Sequence, residues 1–238
     1  MLAFDIETTG LSALDGHVIT IICTEDFATR RKKAYEFARV QEDPEKFQAL
    51  RDSVVSDFEQ ARALCAFNGH RFDLPFMAVA LDLPVETVMR WKAKTSDVFE
   101  ACKTRWQHTF SLNLLCEANK IPVKISSGLA AIQMAADREF NSLREYCEYD
   151  VSILNLLYEK RFILNPRNNA MMDLSQITEV PLEYIYPEAA GQTSAEKCWL
   201  AQEAYNQLKG SSSPSEKPAE APNPVKRQRM ELPDLLEG

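Results

Sequence analysis

Apolar and polar positions alternate in three blocks near the start of the chain, at residues 2–8, 18–23 and 34–40. A period of two predicts half-buried strands, and gaps of roughly ten residues suit an antiparallel meander. Asp43-Pro44 then supplies an N-cap followed by a proline at the first helical position, predicting a helix to about Val55. Ala63 to Phe67 reads as a short buried strand. From residue 74 to 160 helical spacing dominates, with breaks near Pro84, Thr95, Pro122 and Ser126. The last helical segment, SLREYCEYDVSILNLLYEKR, predicts Ser142 as N-cap with Glu145 completing a capping box. Its apolar stripe runs Leu143, Tyr146, Cys147, Val151, Leu154, Tyr158. Strands followed by helices imply an α/β or α+β architecture.

The pattern ends at Gly210. SSSPSEKPAEAPNP, residues 211–224, is dominated by Ser, Pro, Glu and Ala, a composition that predicts a disordered linker. The final VKRQRMELPDLLEG is basic, then acidic and apolar. The 238 residues can bury a sizeable core, and 45% apolar with 26% charged is an ordinary globular balance. No apolar run of membrane-spanning length and no secretory leader is visible, so an intracellular protein without a membrane span is expected. Six scattered cysteines (23, 65, 102, 116, 147, 198) without a CxxC pair fit buried, reduced thiols. A net charge of −8 argues against a broad basic face for nucleic acid, but leaves room for a local site held by cations.

Candidate chemistry resides in the acids. In LAFDIETTGL, Asp5 and Glu7 are two apart on a strand and project from one face. Adjacent carboxylates repel and resist desolvation unless something positive lies between them, and hard oxygen donors suit Mg²⁺ or Mn²⁺. A solvated edge strand explains the pair equally well. Asp73, in FNGHRFDLPFM, follows a turn at Asn68-Gly69 and precedes Pro75, so capping of the next helix accounts for it as well as function does. The lone histidines His17, His70 and His108 are expected at the surface. Asp150 lies four residues after Tyr146, on the apolar stripe of the last helix. A carboxylate there needs a partner, whether an arginine or a cation.

Taken in order, Asp5, Glu7, Asp73, Tyr146 and Asp150 resemble the motifs of the DEDD 3′–5′ exonuclease superfamily. Tyrosine at 146 is similar to its DEDDy branch; the histidine branch would carry His at 145, where this chain has Glu145. FNGHRFDLPFM, FSLNLLCEANKIPVK (110–124) and YCEYD (146–150) resemble segments of family B DNA polymerase exonuclease domains. LSQITEVPLEYIYPEAAGQTSAEKCWLAQEAY, residues 174–205, resembles the stretch that follows that domain. The likeness covers about residues 1–208. The polymerase-palm motifs DxxSLYP and DTD are missing, so no polymerase activity is expected. Thr8-Thr9-Gly10-Leu11 is closer to stand-alone proofreading exonucleases.

The resemblance implies an RNase H-like fold: a mixed sheet with an antiparallel meander flanked by helices. It implies an exonuclease domain over 1–165, a helical extension over 166–209 and a disordered tail over 210–238. It also implies two divalent cations, Mg²⁺ or Mn²⁺, about 4 Å apart. In that scheme Asp5 touches both ions, Glu7 and Asp150 complete one site, Asp73 serves the other, and Tyr146 positions the attacking water. The products would be nucleoside 5′-monophosphates from single-stranded or mispaired DNA 3′ ends. An RNA 3′ exonuclease and a non-catalytic scaffold of the same fold are the competing readings. Thr8, Leu11, Asn68 and Phe72 are the candidate substrate contacts, Phe72 offering a stacking face or simple core packing. The run Arg30, Arg31, Lys32, Lys33 is either a phosphate-facing hairpin or a solvated loop. Lys226, Arg227 and Arg229 could direct nuclear import, and MELPDLLEG could dock a replication partner.

Overall fold

The computed structural model describes residues 1–123 and 128–174. The alternation at the N-terminus forms β1, Leu2–Thr8, at the centre of a five-stranded mixed sheet. β2, Ile19–Asp26, and β3, Lys32–Tyr35, complete an antiparallel meander on one side. β4, Leu64–Ala66, and β5, Thr95–Asp97, extend the sheet in parallel on the other, giving the order β3-β2-β1-β4-β5. The third strand is shorter than the predicted 34–40: after Tyr35 the chain turns into a 3-10 turn, Phe37–Arg39, that buries Phe37. Beyond Tyr35 the apolar residues therefore follow a turn rather than a pleat.

The first helix, α1 (Pro44–Gln60), starts where the sequence placed it: Asp43 accepts from the Lys46 N–H at 3.1 Å. α2 (Asp73–Ala80), α3 (Val85–Ala93), α4 (Val98–Trp106), α5 (Leu112–Ala118), α6 (Gly128–Ala136) and α7 (Phe140–Glu159) follow. The segment around Thr95, expected only as a helix break, is the edge strand β5. α7 starts at Phe140, not Ser142; no side chain caps it, and Ser142 and Glu145 face solvent inside the helix.

Alternation divides β1 between two cores. Phe4 and Ile6 pack with Phe58, Leu74 and Trp91 beneath α1–α3. Ala3 faces the other way, with Ile21, Cys23, Cys147 and Val151 beneath α7, which lies across β1 and β2. Asp5 and Glu7 share this second face. A hairpin of β6 (Phe162–Leu164) and β7 (Met171–Asp173) follows α7. The start of the expected helical extension is thus a strand pair that straddles residue 165; the rest of 166–209, the linker and the tail lie outside the described residues. Cys23, Cys65, Cys102, Cys116 and Cys147 are free and buried, as their apolar surroundings implied. No helix among the described residues is long and apolar enough to cross a membrane.

Candidate active site

Three distant segments bring the acids together. Asp5 and Glu7 come from the middle of β1, Asp73 from the first turn of α2 and Asp150 from the middle of α7. Asp73 is buried, and its carboxylate does not cap α2. Oδ1 instead accepts from the Ile6 N–H at 3.2 Å, tying motif two to the strand between the first two acids. Asp150 is not neutralised by an arginine; Tyr146, one turn earlier, donates a hydrogen bond to it.

The electrostatics are uniformly anionic. Burial first, then the charges of Glu7, Asp73 and Asp150, raise the Asp5 carboxyl well above its ordinary range. Glu7 is raised by burial and by Asp150 and Asp73. Asp73 is pushed up to about 7, by burial and then the Asp97 charge. Burial lifts Asp150 to about 6, against the Tyr146 hydrogen bond. Among the described residues, no lysine or arginine appears among the charges acting on these four groups.

Cys147 joins this site without a signal beyond its place on an apolar stripe. Its thiol, with one oxygen each from Asp5 and Glu7, forms a cluster whose atoms all lie within 4.8 Å of one another. Burial and nearby charge hold the thiol well above its normal pKa, so it is protonated. Sγ lies 3.7 Å from both the Asp5 carbonyl and its Oδ2, acting as a donor that fixes the first acid. Apart from this thiol, the donors gathered here are all carboxylate oxygens. That set fits a hard divalent cation, which the clustered charges require for mutual stability. Asp5, Glu7, Asp73 and Asp150 are the residues that would hold it.

The loop into Asp73 is fixed by a residue outside the predicted set. Asp97, buried at the end of β5, accepts from the Asn68 N–H at 3.0 Å and the His70 N–H at 2.9 Å, and caps α4 through Glu100 N–H at 3.2 Å. His70 is therefore buried rather than exposed, its Nε2 3.2 Å from the Lys92 carbonyl. His17 is exposed as expected, and His108 is half-buried. Asn68 takes a left-handed conformation (φ 67°), and at Gly69 any Cβ would sit 2.5 Å from that of Ala66. Asn-Gly is thus required by backbone shape. The spacing of Asp97 and Glu100 resembles a cap signal; the grip on residues 68–70, 27 to 29 positions away, has no local signature.

The other expected contacts divide. Leu11 and Phe72 line one pocket of about 130 Å³, with exposed Leu11 on its rim. Thr8 is buried and donates to the Gly10 carbonyl at 2.6 Å, shaping the turn. The basic run is engaged elsewhere: Arg30 pairs with Glu25 and Glu159, Lys32 with Glu25, and Lys33 with Asp57. Among the described residues three of the four are held in ion pairs, and Arg31 is exposed.

Compared with known protein families, residues 2–162 match the model of the RNase_H superfamily. The chain belongs to the RNase H superfamily. The match spans every element that carries an acid of the cluster, and the five-stranded mixed sheet flanked by helices is the architecture expected of it. Membership in the RNase H superfamily supports a hydrolytic, nuclease-type function, and nucleases of this superfamily usually use divalent metals. No curated protein matches the sequence.

Proposed function

We propose that the chain is a metal-dependent 3′–5′ exonuclease of the DEDDy type, releasing nucleoside 5′-monophosphates from single-stranded or mispaired DNA 3′ ends. The observation that carries this reading is the convergence of Asp5, Glu7, Asp73 and Asp150 with Tyr146 bonded to the last acid. When bound, two divalent cations such as Mg²⁺ or Mn²⁺ supply activation of water and charge compensation at the leaving 3′ oxygen. Asp5, Glu7, Asp73 and Asp150 hold them. Cys147 and the Ile6 N–H fix Asp5 and Asp73. The Tyr146 hydroxyl orients the attacking water in line with the scissile phosphate. Leu11 and Phe72 flank the terminal nucleoside, Phe72 giving a face on which a base stacks. Asn68 serves through its backbone turn. DNA is favoured by the likeness to polymerase exonuclease domains.

Matched 5′-labelled DNA and RNA oligonucleotides, incubated with Mg²⁺ and wild type or Asp5→Ala, test the reading. A metal-dependent ladder on DNA that the variant loses is the expected result. Equal ladders on RNA would replace the substrate, and no ladder on either would leave a binding subunit. Recruitment to a replication partner through MELPDLLEG, residues 230–238, with nuclear entry through Lys226, Arg227 and Arg229, belongs to the same proposal. Cellular distribution unchanged by deleting residues 210–238 would remove it.

A further inference from the structure

β1 and β2 do not keep one register to their ends. Glu7 pairs with Ile21 but Thr8 pairs with Ile19, so Thr20 bulges out of the ladder one residue past the catalytic acid. Bulges re-aim side chains, and this one leaves a threonine hydroxyl buried with no hydrogen-bond partner among the described residues. Thr20 lines a cavity of about 540 Å³ together with Thr9, Arg39, Arg138 and Phe140. Thr9 is two residues from Glu7, so the cavity opens beside the catalytic strand.

Its two cations differ in kind. Arg39 is held in place: it pairs with Glu36, donates to Asn141 Oδ1 at 2.8 Å and lies over the Phe140 ring, 5.1 Å from its centroid. Arg138 is exposed, sits in a left-handed backbone conformation (φ 60°), and its side chain has no ion pair among the described residues. Glu42 lies on the same rim and keeps the cavity from being uniformly basic. Both arginines also line an adjoining cavity of about 300 Å³ together with Glu139, a second acid on the rim, so they stand at the junction of one groove. An anchored guanidinium, a free one and a hydroxyl lacking a partner match a tetrahedral anion with several acceptor oxygens.

We propose that this groove binds a backbone phosphate of the substrate strand, upstream of the nucleotide being removed, and so supplies the local cationic grip that an acidic chain otherwise lacks. This inference rests on the nuclease reading, and two probes separate their failures. A 5′-fluorescein single-stranded DNA 10-mer reports binding to the full-length protein. The p-nitrophenyl ester of thymidine 5′-monophosphate has no upstream phosphate and reports the catalytic acids alone. Arg138→Glu should weaken 10-mer binding by about tenfold and reduce its salt dependence by about one counterion. Thr20→Val should weaken it by about fivefold without lowering the melting temperature, because a hydroxyl that bonds nothing in the fold is removed. Neither variant should change turnover of the nitrophenyl ester. Wild-type binding of the 10-mer by both variants would overturn the inference, as would displacement by inorganic phosphate at stoichiometric concentration, which would mark a site for a free anion. Failure to hydrolyse either substrate, with binding still sensitive to Arg138, would overturn the nuclease reading and leave the groove. No 10-mer binding by wild type would overturn the groove.

Discussion

Two acidic places on the same sheet, both beneath α7, are treated in opposite ways. Glu25 near the end of β2 is buried, and the fold surrounds it with partners: Arg30 at 2.8 Å, Lys32 at 3.9 Å, and the Ser152 hydroxyl at 2.6 Å. Asp5 and Glu7 on β1 face Asp150, two residues before Ser152 on the same helix, and apart from the Cys147 thiol on Asp5 the charges they meet among the described residues are those of further acids. Burying a carboxylate unpaired costs several kcal/mol, so a fold that needs one for structure supplies its cation. Where four gather and no side-chain cation stands against them among the described residues, the site fits a cation from outside. Buried acidity is therefore uninformative until its partners are counted.

The largest effect expected is at Asp5. Replacing it with Ala should lower hydrolysis by at least about a thousandfold, yet raise the melting temperature of the metal-free protein, since a repelling charge is gone. Loss of both activity and stability in single-turnover and melting assays would erase the contrast with Glu25. Next comes Tyr146→Phe. It removes the hydrogen bond to Asp150 and should cost roughly ten- to a hundredfold in turnover, with KM and melting temperature nearly constant. A change confined to KM would take the hydroxyl out of water positioning.

Arg30→Ala tests the structural side of the comparison. Glu25 would keep only Lys32 and Ser152, and chemical denaturation should show a loss of about 2 kcal/mol, while turnover of the folded fraction is unchanged. Smallest is a pH effect whose sign is opposite to that of ordinary paired carboxylates. An unfolded chain loses its carboxyl protons near pH 4, whereas folded Asp150 and Asp73 keep theirs to about 6 and about 7. The native state thus binds more protons across that window, and stability falls as pH rises through it. In EDTA the melting temperature should drop by about 5 °C between pH 4.5 and 7.5, and Mg²⁺ should restore most of it at the upper pH. A metal-free protein that is stabilised over that range would contradict the mutual repulsion of the four acids.

Local chemistry wrote some of this into the sequence, and tertiary structure wrote the rest. The alternation of β1, the Asp43-Pro44 cap and the misplaced Asp150 on an apolar stripe are all signals within a few residues of themselves. The third strand was overrun because a 3-10 turn buries Phe37 with a spacing that mimics a pleat. The capping box at Ser142 failed because α7 had already begun two residues earlier, leaving a good cap motif in mid-helix. His70 is buried where Lys92 at the end of α3 and Asp97 at the end of β5, more than twenty positions later, bond to it. Arg39 and Arg138 come from opposite ends of the domain, and nothing near either residue in the sequence announces that they share a groove.

The tie between Ile6 and Asp73 has one more consequence. It links the middle of the chain's first strand to a helix residue 67 positions later, and Asp150 lies a further half-domain on. A ligand that bridges these carboxylates closes two long loops at once, so its binding energy is added to the cooperative unfolding of the whole domain rather than to one local opening. Such a ligand would be a clasp: amide hydrogens in β1, α2 and α7 should slow together when it binds, and no excised fragment of the domain can carry the site alone.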